Sequence, residues 1–196
     1  MRSAVAYLES GIRVVGDPSF HDDVQMSKGN VFYYTKRLLA RKYDDPMVQR
    51  LLMNEPFGAF VTPSGTNTDC ATCVFNIQSK GHICNQVRPE QVSAAILSTL
   101  KAAFEQHIAN TVTCIAPPIV VVTVPANFTN AQRKATLCAA EIAGMENVHL
   151  INEPTAAAFG HYLSLKTAMP ENAYVLVFDL GGGTLDVTIT HMHYYE

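Results

Sequence analysis

Residues 174–189 read Tyr174-Val-Leu-Val-Phe-Asp-Leu-Gly-Gly-Gly-Thr-Leu-Asp-Val-Thr-Ile189. The apolar run Val175–Phe178 predicts a strand that ends at Asp179, and Val187 and Ile189 predict a second, alternating strand. Between them stand Gly181, Gly182, Gly183 and Thr184. Three adjacent glycines present no Cβ atoms, so backbone N–H groups can approach an anion closely. Thr184 adds a hydroxyl donor. Asp179 places a carboxylate at a strand end, where it can hold a hydrated Mg²⁺. The stretch reads as a phosphate-binding hairpin.

A glycine-rich β-turn with no ligand is the competing reading. The acid at the strand end and a second acid, Asp186, favour nucleotide. No Gly-Lys-Ser/Thr opens a helix, so the element is not a P-loop. A strand follows where a Rossmann turn would start a helix. Strand–turn–strand phosphate loops are similar to those of the actin, sugar kinase and heat-shock chaperone superfamily.

Working outward, 196 residues suffice for one domain or two small ones. A chain that is 48% hydrophobic and 16% charged is globular in composition, and a formal charge of −3 argues against a nucleic-acid partner. One basic cluster, Lys36-Arg37-Leu-Leu-Ala-Arg41-Lys42, reads by itself as a solvated helix face. No apolar run approaches the ~20 residues that span a bilayer, and the N-terminal apolar stretch is too short for a signal peptide. Neither a membrane nor a nucleic acid is expected as partner. Five irregularly spaced cysteines do not make a disulfide framework, so a reducing, cytoplasmic setting is expected.

Cys70-Ala-Thr-Cys73 with His82 and Cys84 could be a zinc site or a redox pair. However, residues 73–87 alternate like two strands joined at Ser79-Lys80-Gly81. In that hairpin Cys84 lies opposite about residue 77, roughly 13 Å along the strand from Cys73 at ~3.3 Å per residue. Zinc ligands must sit within ~2.3 Å of one ion. The metal reading is therefore disfavoured.

The N-terminal part predicts strands at Val5–Leu8 and Ile12–Val15 around a Glu-Ser-Gly turn, then a polar helix after Pro18. Val31, Tyr34 and Leu38 fit one helical face, and Asp44-Asp45-Pro46 starts a short helix through Leu52. Residues 63–69 carry turn chemistry. Pro89 opens a long helix with Val92, Ile96, Leu100, Ala103 and His107 on one stripe. Pro118 and Pro125 bound a buried strand, Ile119–Val124. Asn130 caps a helix with Ala131, Ala135, Cys138 and Ile142 inward, ended by Gly144. Val148–Ile151 is a short strand, and Pro154 begins a helix with Phe159 and Leu163 inward. Alternating strands and helices predict a parallel pair, with ligands gathered at the carboxyl ends of the strands. Asn152-Glu153-Pro154 lies at one such end and Asp179 at another.

Four ordered motifs carry a resemblance: Thr35-Lys-Arg-Leu-Leu-Ala-Arg-Lys-Tyr-Asp-Asp45, Val122-Thr-Val-Pro-Ala-Asn-Phe128, Ile151-Asn-Glu-Pro-Thr-Ala-Ala-Ala158 and Phe178-Asp-Leu-Gly-Gly-Gly-Thr-Leu-Asp-Val187. They resemble the nucleotide-binding domain of the 70-kDa heat-shock chaperone family, from about Val5 to Ile189. The resemblance implies a partial actin-like, ribonuclease H-like α/β ATPase fold. Residues 1–117 match the peripheral subdomain of lobe I, 118–170 its remaining core, and 171–196 the first hairpin of lobe II.

The resemblance also implies roles. Lys36 matches a lysine that orients the attacking water, and Glu153 a carboxylate near hydrated Mg²⁺. Asp179 matches the acid that orders the metal waters, and Gly181, Gly182, Gly183 and Thr184 the loop around the β- and γ-phosphates. Pro125 and Arg133 match a proline switch and its arginine relay. ATP or ADP with Mg²⁺ would be the ligands, with J-domain cochaperones and nucleotide-exchange factors as partners. Each residue also has a local explanation: a solvated lysine, a first-turn acid against the helix dipole, a strand-terminating proline, a surface arginine.

The family's other phosphate hairpin, Asp-Leu-Gly-Thr-Thr in form, does not occur in this sequence, nor do the adenosine-binding residues or a peptide-binding domain for unfolded clients. The expectation is an ATP-binding chaperone fragment with impaired hydrolysis. A non-catalytic partner-binding protein is the alternative, and a small-molecule kinase of the superfamily a weaker one. His191 and His193 alternate on one strand face and are read as a frayed tail.

Overall fold

The computed structural model describes residues 2–8, 10–16, 30–55, 61–65, 71–78, 86–110, 119–164, 172–181 and 185–193. These form a mixed α/β structure in two compact units, Met1–Pro118 with Asn130–Asn147, and Ile119–Thr129 with Val148–Glu196.

In the first unit, β1 (Ala4–Tyr7) is the middle strand of an antiparallel sheet between β2 (Arg13–Val15) and β3 (Val31–Tyr33). Gly11 closes the β1–β2 turn with a φ of 83°, a left-handed value that suits glycine. The expected helical face Val31, Tyr34, Leu38 is corrected here. Residues 31–33 are β-branched and aromatic and pair with β1. Tyr34 then takes a left-handed φ of 57°, and only a single 3-10 turn follows, Thr35–Arg37. The basic cluster therefore sits on a tight turn, with the Arg37 guanidinium 5.1 Å from the centre of the Tyr34 ring. The polar helix expected after Pro18 falls outside the described residues.

Helix α1 (Pro46–Asn54) starts where the sequence places it. The Asp45 carboxylate accepts from the Met47 N–H at 2.8 Å and from Arg41 at 2.9 Å, and Pro46 fills the first helical position. A second antiparallel sheet has β5 (Cys73–Asn76) between β4 (Val61–Pro63) and β6 (Gln86–Val87). Two polar contacts cross it, Asn76 Nδ2 to Thr62 Oγ1 at 2.9 Å and Gln86 Nε2 to Asn76 Oδ1 at 3.2 Å. Asn30 is buried and ties β1 to the chain after β5. Its carbonyl accepts from Tyr7 N–H, its side-chain oxygen from Gln78 N–H, and its amide donates to the Gln78 carbonyl. That satisfies a polar group that would otherwise destabilise the core.

The core of this unit gathers Val5, Phe32, Leu38, Val48, Phe75 and Val92 from both sheets and the helices. Phe32 and Phe75 stack at 4.3 Å between ring centroids. Cys73 lies in the same core. Burial, then the charges of Asp45 and Glu90, push its thiol up to about 11. Cys70, His82 and Cys84 lie outside the described residues. Because the thiolate is the reactive form, Cys73 should resist iodoacetamide in the folded chain at pH 8 while exposed Cys138 is labelled. Peptide mapping by mass spectrometry checks this, and equal labelling would contradict the buried position. The raised value also means the folded state holds this proton more tightly. Its contribution is complete below about pH 9 and is lost as pH rises toward 11.

Helix α2 (Pro89–Ala109) opens on Pro89, with Arg88 N–H donating to Gln91 Oε1 at 2.9 Å. Only the first half of its expected stripe is covered: Val92 is buried and Ile96 packs on the core, whereas Leu100, Ala103 and His107 are exposed. Helix α3 (Asn130–Ile142) buries Gln132, Ala135, Thr136, Ala139 and Ala140. The stripe expected through Ala131, Cys138 and Ile142 faces solvent instead. The reason is close packing through small side chains, Ala94 of α2 against Ala139 and Ala143. Gly144, at φ 70°, ends α3 with Met145 N–H bonded to the Ala140 carbonyl and Gly144 N–H to that of Glu141.

In the second unit β7 (Val120–Val124) and β8 (Val148–Asn152) pair in parallel, Val120 opposite Val148 through Val124 opposite Asn152, as the strand–helix order predicts. The expected burial of β7 is corrected. Its pattern alternates, with Val121 exposed and Val124 buried, because among the described residues β8 is its one pairing partner. Helix α4 (Glu153–Ser164) packs on both strands and buries Pro154 and Ala158. Phe159 and Leu163, expected inward, are exposed. Strands β9 (Asn172–Leu180) and β10 (Leu185–His193) form the antiparallel hairpin read from the sequence. Its far end is held rather than frayed: His191 stacks on Tyr174 at 4.6 Å, and His193 Nδ1 lies 2.5 Å from Asn172 Oδ1. No helix among the described residues is long and apolar enough to cross a membrane.

Candidate functional site

Three chain segments of the second unit meet at one small pocket of about 190 Å³. The turn after β7 contributes Pro125, Ala126 and Asn127, and the start of α4 contributes Glu153 and Pro154. The hairpin contributes Asp179 from β9 and Asp186, Val187 and Thr188 from β10. Both parallel strands point their carboxyl ends at this place, where open α/β sheets bind ligands. Glu153 and Asp179, both at strand ends in the sequence pattern, line this pocket together with Pro125.

The local chemistry is strongly acidic. Asp179 and Asp186 are directly opposed across the β9–β10 ladder. Such pairs hold their Cβ atoms about 4.5–5.5 Å apart, and two carboxylates there repel. Glu153 lines the same pocket from the first turn of α4, where the helix dipole favours its charge. A cation offsets three carboxylates in one small pocket. Among the described residues no group of three His, Cys, Asp or Glu is close enough to ligate a metal directly.

At about 190 Å³ the pocket is smaller than the roughly 300–1,000 Å³ of sites that enclose a drug-sized ligand. Gly181 lies at the end of β9 and is exposed, whereas Gly182, Gly183 and Thr184 fall outside the described residues. Lys36 and Arg133 belong to the first unit: Lys36 is exposed on the 3-10 turn and Arg133 is half-buried in the first turn of α3.

Asn127 and Thr188 were not anticipated as part of this pocket. Strand alternation carries the signal for Thr188, which shares a face with Asp186 two residues earlier. For Asn127 the signal is its place in the Val122–Phe128 motif, two residues past Pro125.

An acidic pocket at the carboxyl ends of a parallel strand pair is where α/β proteins hold their ligands. The family model described as Hsp70 protein matches residues 1–194, so the chain belongs to the Hsp70 family. That is a family of chaperones whose domains bind ATP and ADP and have an actin-like ATPase fold, with which this mixed α/β structure is consistent.

Proposed function

We propose that this chain binds the phosphate end of ATP or ADP together with Mg²⁺, as part of a heat-shock-70-type chaperone, and hydrolyses it poorly when alone. The observation that carries the reading is the convergence of Glu153, Asp179 and Asp186 on one pocket at the strand ends. In this reading Asp179 and Glu153 hold Mg²⁺ through water and Asp186 adds charge. Backbone N–H groups of Gly181, Gly182 and Gly183, with the Thr184 hydroxyl, bind phosphate oxygens. Bound Mg²⁺ supplies charge neutralisation at the phosphates. Lys36 would stabilise the developing charge, and Pro125 with Arg133 would relay nucleotide state to partners.

Phosphoryl transfer needs charged groups that close around the γ-phosphate. These 196 residues contain one glycine-rich phosphate hairpin, so the chain by itself is assigned binding without efficient turnover. The same reading divides the chain into a peripheral subdomain over 1–117, a lobe I core over 118–170 and a lobe II hairpin over 171–196. J-domain cochaperones and nucleotide-exchange factors are the partners that family membership supports.

Titration of the purified chain with fluorescent ATP in Mg²⁺ tests this reading. Weak, saturable binding is expected, and Thr184→Ala should weaken it by about 1–3 kcal/mol through loss of one charge-assisted hydrogen bond. A steady-state assay should show no turnover above that of Lys36→Ala. Absence of any saturable binding, or turnover that vanishes with Lys36, would overturn the reading.

A further inference from the structure

The polar side chains that line the strand-end pocket divide by hydrogen-bonding type. Glu153, Asp179 and Asp186 are carboxylates, which only accept when ionised. Among the described residues the lining has two side-chain donors, the Asn127 amide and the Thr188 hydroxyl. Asn127 takes the third position of a turn closed by the Phe128 N–H, which donates to the Pro125 carbonyl at 3.1 Å. An asparagine in a turn commonly bonds its side chain to the nearby backbone. Asn127 does not: among the described residues neither its amide nor the Thr188 hydroxyl has a hydrogen-bond partner. Thr188 is half-buried on the face of β10 that also carries Asp186, two residues earlier. Two idle donors thus share one small pocket with three acceptor-only groups.

We propose that Asn127 and Thr188 are the phosphate-selecting residues of this site, donating to oxygens of the phosphate chain while the carboxylates face the cation. The inference rests on the nucleotide reading above. It adds to that reading the residues that make the pocket a site for a metal–phosphate pair rather than for a bare divalent cation. A cation is served by oxygen acceptors, and the three carboxylates already supply them. A phosphate oxygen needs donors, and a hydrogen bond to a charged oxygen is about twice as strong as a neutral one. Without Asn127 and Thr188 the side chains of the lining would offer a phosphate only like charge and carbon. Neutral donors suit the place better than a lysine would, because a fixed cation there would compete with the metal for the same carboxylates.

Titration of the full chain with fluorescent ATP in Mg²⁺, and with Mg²⁺ alone by calorimetry, is the test. Asn127→Asp exchanges a donor for a fourth acceptor. Its affinity for Mg²⁺-ATP should fall by about tenfold or more, whereas its affinity for Mg²⁺ alone should hold or rise. Thr188→Val keeps the shape and removes the hydroxyl, so Mg²⁺-ATP affinity should fall by about tenfold, and Thr188→Ser should restore it. Thr190→Val, on the same face of β10 but outside the pocket, should bind as the wild-type chain does. Asn127 is exposed, so its replacement leaves the core untouched. Should Asn127→Asp nevertheless fail to fold by circular dichroism, Asn127→Ala decides by the same tenfold loss. Wild-type affinity in either Asn127→Asp or Thr188→Val would overturn the inference and leave the nucleotide reading standing. So would tighter Mg²⁺-ATP binding by Asn127→Asp, which would make Asn127 a cation ligand, or a loss shared by Thr188→Ser or Thr190→Val. A wild-type chain that binds no Mg²⁺-ATP would overturn both.

Discussion

Replacing Phe75 by alanine is expected to lower the unfolding free energy of the first unit by about 3–5 kcal/mol. Phe75 is fully buried on the central strand of its sheet, paired with Val61 on one side and Val87 on the other. Its ring stacks on Phe32, itself fully buried on the neighbouring sheet. Truncation removes the transfer energy of the ring and leaves a cavity that two sheets cannot close without losing their registers. Urea denaturation followed by circular dichroism measures the loss. A change below about 1 kcal/mol would mean that the two sheets do not share one core.

Removing Mg²⁺ is expected to have an effect of comparable size on ligand binding. Glu153, Asp179 and Asp186 line a single pocket, and an ATP phosphate chain entering it without a divalent cation meets three carboxylates. Like charges a few ångströms apart repel by roughly 1 kcal/mol in water, and by about 4 kcal/mol near a protein surface. EDTA should therefore reduce ATP affinity by a hundredfold or more. Asp179→Asn should relax that dependence, because it lowers the negative charge while removing a carboxylate that holds the metal waters. Isothermal calorimetry with and without Mg²⁺ reads both effects. Equal affinity in EDTA would contradict a cation-bridged site.

The sequence was most legible where local chemistry and tertiary packing agree. Asp45-Pro46 and Pro89 mark helix starts: Asp45 accepts from the Met47 N–H, and at Pro89 the Arg88 N–H donates to Gln91 Oε1. The long apolar run before Asp179 and the alternation after it specify a hairpin whose register brings Asp179 opposite Asp186. The strand ends at Glu153 and Asp179 are legible in the same way, and both residues line the pocket.

Legibility failed where a short element or a small-residue interface carries the structure. Three residues of β3 are too few to show alternation, so the coincidental spacing of Val31, Tyr34 and Leu38 outweighed the strand preference of Val-Phe-Tyr. The faces of α3 and α4 were misread because periodicity ranks large apolar side chains first. Close helix approach selects Ala94, Ala139 and Ala143 in one case and Ala158 in the other, leaving Ile142, Phe159 and Leu163 outside. For the pocket, Asn127 lies inside a quoted motif that gave it no role, and Thr188 lies one residue past another. Only the fold brings them beside the carboxylates.

In the proposed function, the pocket formed by the β7 turn, the start of α4 and the hairpin receives nucleotide phosphate with Mg²⁺. Its most direct test is an amide-resolved NMR titration of the ¹⁵N-labelled chain with Mg²⁺-ATP. Shifts concentrated at Asn127, Glu153, Asp179, Gly181, Asp186 and Thr188, and abolished by EDTA, are the predicted result. Saturable shifts that avoid these residues, or a spectrum unchanged at millimolar Mg²⁺-ATP, would contradict it.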